Sequence, residues 1–404
     1  MLLSRPALTA REAVLYRVNQ LISFTQTKRR PLSFLVMLAL GVVATAFFVL
    51  LSVSLITSRN SASSQAAAIA AWHNGTLGPA SASLADKAYN ETLGFGEVVY
   101  LSMPQRTDRQ DAMTLLGSMY NIKFTKVDGV DGNTIVDKAI PDNDWGHLRP
   151  SEYGCWRAHA DAWSRFLQSG LETALILEDD VDFDVHIHDI FRRMSMQMQR
   201  NPIRVEPPTL HEKSTAPYGL DWDMIYVGHC SDYSNKDRRD LAIVFDDPAA
   251  PPRSNMIGSF IGQLEEFGVR GSDIGKKRVV APSFGPVCTA GYAITRRGAQ
   301  RLLLNFSYLG LDAAIDIDIL RKLQAGKLRG YTVTPNVFAP WRVDGLKDSD
   351  NIGTERNISF NGLGNRGGYS KNLRDSARQQ MVLDLDLDNW SDFERVLPKH
   401  QSSS

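Results

Sequence analysis

Apolar residues first dominate the chain from Leu32 to Ile56, a run of 25 residues without a charge. A helix needs about 20 such residues to cross a bilayer, so the run predicts a membrane span. Residues 57–94 are rich in Ala and Ser and hold no sustained apolar period, the pattern of a flexible stem. A folded part then begins with "EVVYLSM", residues 97–103, a short strand-like run. Thr107 and Gln110 stand at capping-box spacing for a helix reaching Tyr120, and "IKFTKV" reads as a second strand ending at the turn signal "DGVDGN". Further on, Trp156, Ala160, Trp163 and Leu167 recur at helical spacing, with Gly170 as a stop. "TALIL", wholly apolar, has the pattern of a strand buried on both faces. Apolar runs follow at 222–228, 287–295 and 330–338, with a helical segment at 296–306 between the last two. Strands alternating with helices predict an α/β fold, its sheet largely parallel and covered on both sides. Residues 200–220 and 231–285, polar and rich in Pro and Gly, read as long surface loops.

Charge adds orientation rather than a partner. The 45 basic and 45 acidic residues cancel, so bulk charge points to no nucleic acid. Lys28, Arg29 and Arg30 precede the apolar run, with Glu12 the lone acid before it, which leaves the N-terminus cytosolic and sends the rest across the membrane. A cleaved signal peptide fits less well, since its apolar region is shorter and lies nearer the N-terminus. The sequons at Asn74, Asn90, Asn305, Asn357 and Asn389 all follow the span, consistent with a lumen of the Golgi or endoplasmic reticulum. The cysteines are Cys155, Cys230 and Cys288, without the close spacing of a zinc site. An oxidising lumen permits one bridge. Cys230 and Cys288 lie at or beside expected strands and Cys155 within a helix, so a 230–288 pair is expected.

The densest chemistry is "LILEDDVDFD", residues 175–184, where an apolar strand runs into five carboxylates. Ligands of open α/β sheets bind beyond the carboxyl ends of strands, and carboxylates there can take a divalent cation that neutralises a diphosphate. An EF-hand fails on Val185 and Phe191, which occupy its glycine and terminal glutamate positions. A solvated acidic turn is the plainer alternative, and for Asp182 and Asp184 it is the expected one. Arg106 and Arg109 stand where the first strand meets its helix, a natural phosphate site unless both are simply solvated.

With these residues in view, "VVYLSMPQRTDR", "EYGCWRAHADAW", "LILEDDV", "WDMIYVGHC" and "CTAGYAITRRGAQRLL", in this order, resemble family 25 glycosyltransferases, the lipooligosaccharide and procollagen galactosyltransferase group. The membrane-anchored layout looks most like fungal members. The resemblance implies a GT-A-like, Rossmann-type fold, a UDP-sugar donor (usually UDP-galactose), a divalent metal such as manganese, inversion at the anomeric carbon, and a glycan or glycoprotein acceptor. Asp179 and Asp180 match the pair facing nucleotide and metal, Arg106 and Arg109 the basic positions near the nucleotide. His159 matches a family histidine, although Ala158 replaces the serine before it. The implied organisation is a tail at 1–31, an anchor at 32–56, a stem at 57–94, a transferase domain at 95–350 and an extension at 351–404. A non-catalytic glycan-binding or scaffold protein on the same fold is the rival reading.

An inverting transfer also needs a base. Read as a helix, "LDAAIDIDILRKLQAGK" puts Asp312 and Asp316 on the apolar face of Ile315, Ile319, Leu320 and Leu323, with Asp318 off it. Asp312 reads as the helix N-cap. Asp316, which also matches the family aspartate after an apolar pair, is the expected base and Asp318 the second choice.

Overall fold

The structure, a computed structural model, describes residues 84–142, 148–200, 203–204, 206–233, 235–342 and 368–385. The expected span at 32–56, and Asn74, Asn357 and Asn389, lie outside the described residues. Among those described, no helix is long and apolar enough to cross a membrane.

In chain order the elements are β1 (Glu97–Ser102), α1 (Thr107–Met119), β2 (Phe124–Asp128), α2 (Pro150–Ser169), β3 (Thr173–Glu178), β4 (Val181–Phe183), α3 (Ile187–Arg200), α4 (Leu210–Thr215) and β5 (Met224–Gly228). They continue with β6 (Ile243–Asp246), α5 (Gly258–Glu266), β7 (Lys277–Pro282), β8 (Gly291–Thr295), α6 (Arg296–Leu303), α7 (Ile315–Gln324), β9 (Gly330–Thr334), β10 (Phe338–Pro340) and α8 (Ala377–Leu385). An eight-stranded mixed sheet has the order β2-β1-β3-β8-β5-β9-β7-β6, and β10 pairs with β4 in a separate ribbon. Strands β2, β1, β3, β5, β9 and β6 share one direction, while β8 and β7 run against them. This large, mainly unidirectional sheet fits a Rossmann-like fold.

Two-residue periodicity builds the core. On one face Val98, Tyr100, Leu175, Leu177, Ile225 and Val227 pack with Met113 and Leu116 of α1 and with Ile190, Phe191 and Met194 of α3. On the other, Val99, Leu101, Ala174, Ile176, Met224 and Tyr226 meet Trp156, Trp163 and Phe166 of α2. Burying each large apolar side chain contributes roughly 1.5–3 kcal/mol, so the double coverage of β3 fixes where its tip stands.

Several expectations need correction. Residues 231–285 are not one long loop, because β6 and β7 close the sheet edge and α5 packs its buried Leu264 against Val279 and Ala281 of β7. Helix α4 likewise forms within 200–220, with Thr209 as N-cap. The stem is shorter than expected, since Leu84, Ala85, Ala88 and Leu93 are buried in the folded part. Thr107 is the first residue of α1 rather than its cap, and Gln110 Nε2 donates to Met103 O at 2.9 Å. Residues 368–385, expected in the extension, dock on the domain through an Asp184–Ser376 bridge and the packing of α8 against α1.

Candidate active site

Strand β3 ends at Glu178, and the chain turns through Asp179 and Asp180 into β4. This turn forms one wall of a cavity of about 510 Å³ lined by Arg109, His159, Glu178, Asp179, Asp180 and Asp316, among others. Five separate elements or turns thus converge on one space. Gly132 and Gly154 let the loop after β2 close against the start of α2, since a Cβ on Gly154 would collide with Val130 O.

Arg109 is 5% exposed and its Nη1 donates to Asp179 Oδ1 at 2.5 Å, while Nη2 lies 3.8 Å from Asp180 Oδ2. Burial pushes the Asp179 carboxyl above its ordinary range, against the pull of Arg109 and of a hydrogen bond from Ser102. Asp180 Oδ1 is buried without a hydrogen-bond partner among the described residues. An orphaned carboxylate oxygen beside a second carboxylate is what a divalent cation satisfies, so these residues fit one.

Glu178 accepts from Thr289 Oγ1 at 2.7 Å and stands 4.0 Å from His159 Nε2. Burial, then the neighbouring Asp180, Asp179 and Asp316, hold its carboxyl above the usual range. His159 is 1% exposed, and burial lowers its pKa to about 3, so the ring is neutral. Trp163 Nε1 can only donate, and it does so to Tyr292 Oη at 2.9 Å. The tyrosine proton then goes to His159 Nδ1, 2.8 Å away, which leaves Nε2–H facing Glu178.

Asp316 is half-buried, with Oδ2 accepting from Cys288 N at 3.0 Å and Oδ1 from Ile317 N at 2.9 Å. The helical-face argument for it is corrected. Helix α7 starts at Ile315 with Ala314 at the cap, so Asp312 is no N-cap, and its buried arc is Ile315, Asp318, Ile319 and Leu323. Asp318 is 1% exposed and accepts from Asp312 N at 3.0 Å, whereas Asp316 faces the cavity. Arg106 sits beside the cavity rather than in its lining, paired with Asp108 at 2.8 Å.

Cys230 and Cys288 are joined as a disulfide, with Cα atoms 5.6 Å apart, and Cys155 is a free thiol on the cavity wall. Asn90 is exposed, but Asn305 is buried and its Nδ2 donates to Arg301 O at 2.7 Å, leaving no room for a glycan there. Asp182 and Asp184 are not solvated, being 0% and 1% exposed. Asp182 accepts from Ser376 Oγ at 2.5 Å and Asp184 from Asp375 N at 2.9 Å. Among the described residues, Asp184, His186 and Asp375 also bring ligand atoms within 4.8 Å of one another, close enough to hold one ion. The site contacts of Thr289, Tyr292, Trp163 and Arg378 carried no signal in the sequence, because their partners lie more than a hundred residues away.

Residues 97–219, which hold β1 to β3 and the acidic turn, match glycosyltransferase family 25 (LPS biosynthesis protein). Those residues are similar to a family 25 glycosyltransferase domain. Over 225 residues it is 26% identical to procollagen galactosyltransferase 1-A of Xenopus laevis, a stretch covering 53% of this chain and 29% of that protein. Identity to procollagen galactosyltransferase 2 of Homo sapiens is 26% over 227 residues, 53% of this chain and 28% of the relative. A third relative, inactive glycosyltransferase 25 family member 3 of Homo sapiens, is 29% identical over 150 residues, 34% and 22% of the two chains. The chain therefore spans less than a third of the length of each of these three. The family 25 match ends before β5, so Thr289, Asp316 and the C-terminal segment lie beyond it.

Proposed function

We propose that the domain transfers a hexose, galactose in the first instance, from a UDP-sugar to a glycan or glycoprotein acceptor, with inversion, on a GT-A-like fold. The observation that carries this reading is the convergence of Arg109, Asp179, Asp180 and Asp316 on one cavity at the carboxyl end of β3, with Asp180 Oδ1 buried and unpartnered. Two carboxylates and a substrate diphosphate are a common shell for a small divalent cation. Asp180 and Asp179 would hold such an ion, manganese for example, which would stabilise the charge that develops on a departing diphosphate.

The chain's own residues do the rest. Arg109 holds Asp179 in place and offers its guanidinium to the diphosphate side of the cavity. Asp316 takes the acceptor's proton, its two backbone N–H partners keeping the carboxylate aimed into the cavity. His159, neutral and fixed by Tyr292, stands with Nε2 4.0 Å from Glu178 Oε1, which Thr289 holds in place. Residues 32–56 anchor the protein in a Golgi or endoplasmic reticulum membrane with the domain luminal, where the Cys230–Cys288 bond is stable.

The test is nucleotide release by the purified protein across UDP- and GDP-sugars, with and without EDTA. Release from a UDP-hexose, abolished by EDTA and by Asp180→Asn, is the expected result. Full activity in EDTA or in Asp180→Asn would refute the metal–donor assignment. UDP binding without turnover of any sugar would favour a non-catalytic glycan-binding protein.

A further inference from the structure

The acidic turn is gripped from behind by a segment that the family match does not include. Arg378, in the first turn of α8, is 2% exposed. Its Nε donates to Val181 O at 2.8 Å and its Nη2 to Asp179 O at 3.2 Å, across 199 residues of sequence. Between those carbonyls, Asp180 O accepts from Trp341 N at 2.6 Å, and the Arg378 guanidinium lies 5.7 Å from the Trp341 ring centroid. Three successive carbonyls, 179 to 181, are therefore all occupied, by residues outside the cavity lining. The side chains of Asp182 and Asp184 fasten the same segment. Asp182 accepts from Ser376 Oγ and Arg378 N, and Asp184 from Arg374 N and Asp375 N.

A buried guanidinium is costly unless its donors are satisfied, and a hydrocarbon would fill the same space at less expense. What the guanidinium adds is a rigid fork that spans two peptide carbonyls flanking Asp180. We infer that Arg378 is a positioning residue: residues 374–378 clamp the backbone of the Asp179–Asp180 turn so that its two carboxylates face the donor. Donor affinity thus depends on a segment outside residues 97–219. The inference rests on the nucleotide-sugar reading above for its ligand, but not for its geometry.

Lysine keeps the charge and most of the stem but is a point donor, so Arg378→Lys cannot hold both carbonyls. The experiment compares the full chain with Arg378→Lys and with the milder Ser376→Ala. Calorimetry reads UDP affinity in the presence of manganese, and amide hydrogen exchange of the metal-free protein reads the turn at 179–183. Loss of a residue that orients metal ligands typically costs about 10–100-fold in affinity. Arg378→Lys is expected to weaken UDP binding about tenfold or more and to speed exchange at 179–183. Exchange in Met224–Gly228 of β5 should stay unchanged, and Ser376→Ala should follow with smaller effects. If Arg378→Lys does not fold, Ser376→Ala decides alone. Wild-type UDP affinity in the variants, or faster exchange spreading equally to β5, would overturn the clamp. If the wild-type protein itself binds no UDP, the donor reading fails, while exchange at the turn still judges the clamp.

Discussion

Replacing Cys230 and Cys288 together by alanine perturbs stability and the candidate base at once, and the two effects can be separated. The bond closes a loop with a sequence separation of 58. In the chain-entropy treatment, releasing such a loop returns about 14 cal/mol/K to the unfolded state, or about 4 kcal/mol at 25 °C. At roughly 2–4 °C per kcal/mol, the melting temperature should fall by roughly 8–16 °C. The second effect is local. Cys288 has φ 70°, the left-handed region, and it is from there that its N–H reaches Asp316 Oδ2 at 3.0 Å. A side chain in that region costs on the order of 1–3 kcal/mol, and the bond to Cys230 is the covalent restraint that opposes relaxation. Transfer measured well below the melting temperature should therefore fall while UDP binding persists. Circular dichroism melts with and without reductant, paired with calorimetry, separate the two. One reactive thiol per denatured, unreduced chain is expected, that of Cys155. Three thiols, or a double variant that melts with the wild type, would refute the reasoning.

Asp316→Asn should bind UDP normally and lose transfer by roughly a hundredfold or more, the scale of a general base. Asp318→Asn should chiefly lower stability, because Asp318 is buried against Asp312 N; a dead but stable Asp318→Asn beside an active Asp316→Asn would reverse the roles. His159 has a folded-state pKa lowered to about 3 from an ordinary 6.5. Between those values the unfolded chain binds the extra proton, so this group's contribution is whole above pH 6.5 and is lost as pH falls towards 3. Buried carboxylates with raised pKa values act in the opposite sense and cancel when variant and wild type are compared. Urea titrations across that window should show His159→Gln losing less stability on acidification than the wild type; parallel curves would contradict a buried neutral imidazole.

Where local pattern and tertiary environment agree, the sequence reading and the structure coincide. Ala174 to Leu177 are apolar on both faces because both faces of β3 are covered, and α2 shows its period because its apolar stripe meets one face of the sheet. Strand β6 failed to register: its four residues alternate buried and exposed at an edge, within a stretch rich in charge and proline. Asp182 and Asp184 misled for a different reason. Local crowding of carboxylates suggests water, yet besides one neighbouring N–H each, their partners sit 190 or more residues away. Asp316 was placed in the site by an argument with the wrong helical phase, since Asp318 rather than Asp316 shares the arc of Ile315 and Ile319. The carboxylate turn itself was legible because the end of an apolar strand is marked in one dimension, whereas Thr289, Tyr292 and Arg378 reach it only in three.

The distance between the acidic turn and Arg378 also sets an order of events during synthesis. A ribosome adds about 5–20 residues per second, so the 199 residues separating Asp179 from Arg378 take on the order of 10–40 s to emerge. Throughout that interval β3 and its five carboxylates exist without the guanidinium that spans the turn. The nascent chain must carry that crowded charge in water, or on an ion or a chaperone, until helix α8 arrives. A ribosome stalled just short of residue 378 would hold most of the sheet's strands and an acidic turn that has not yet taken its final shape.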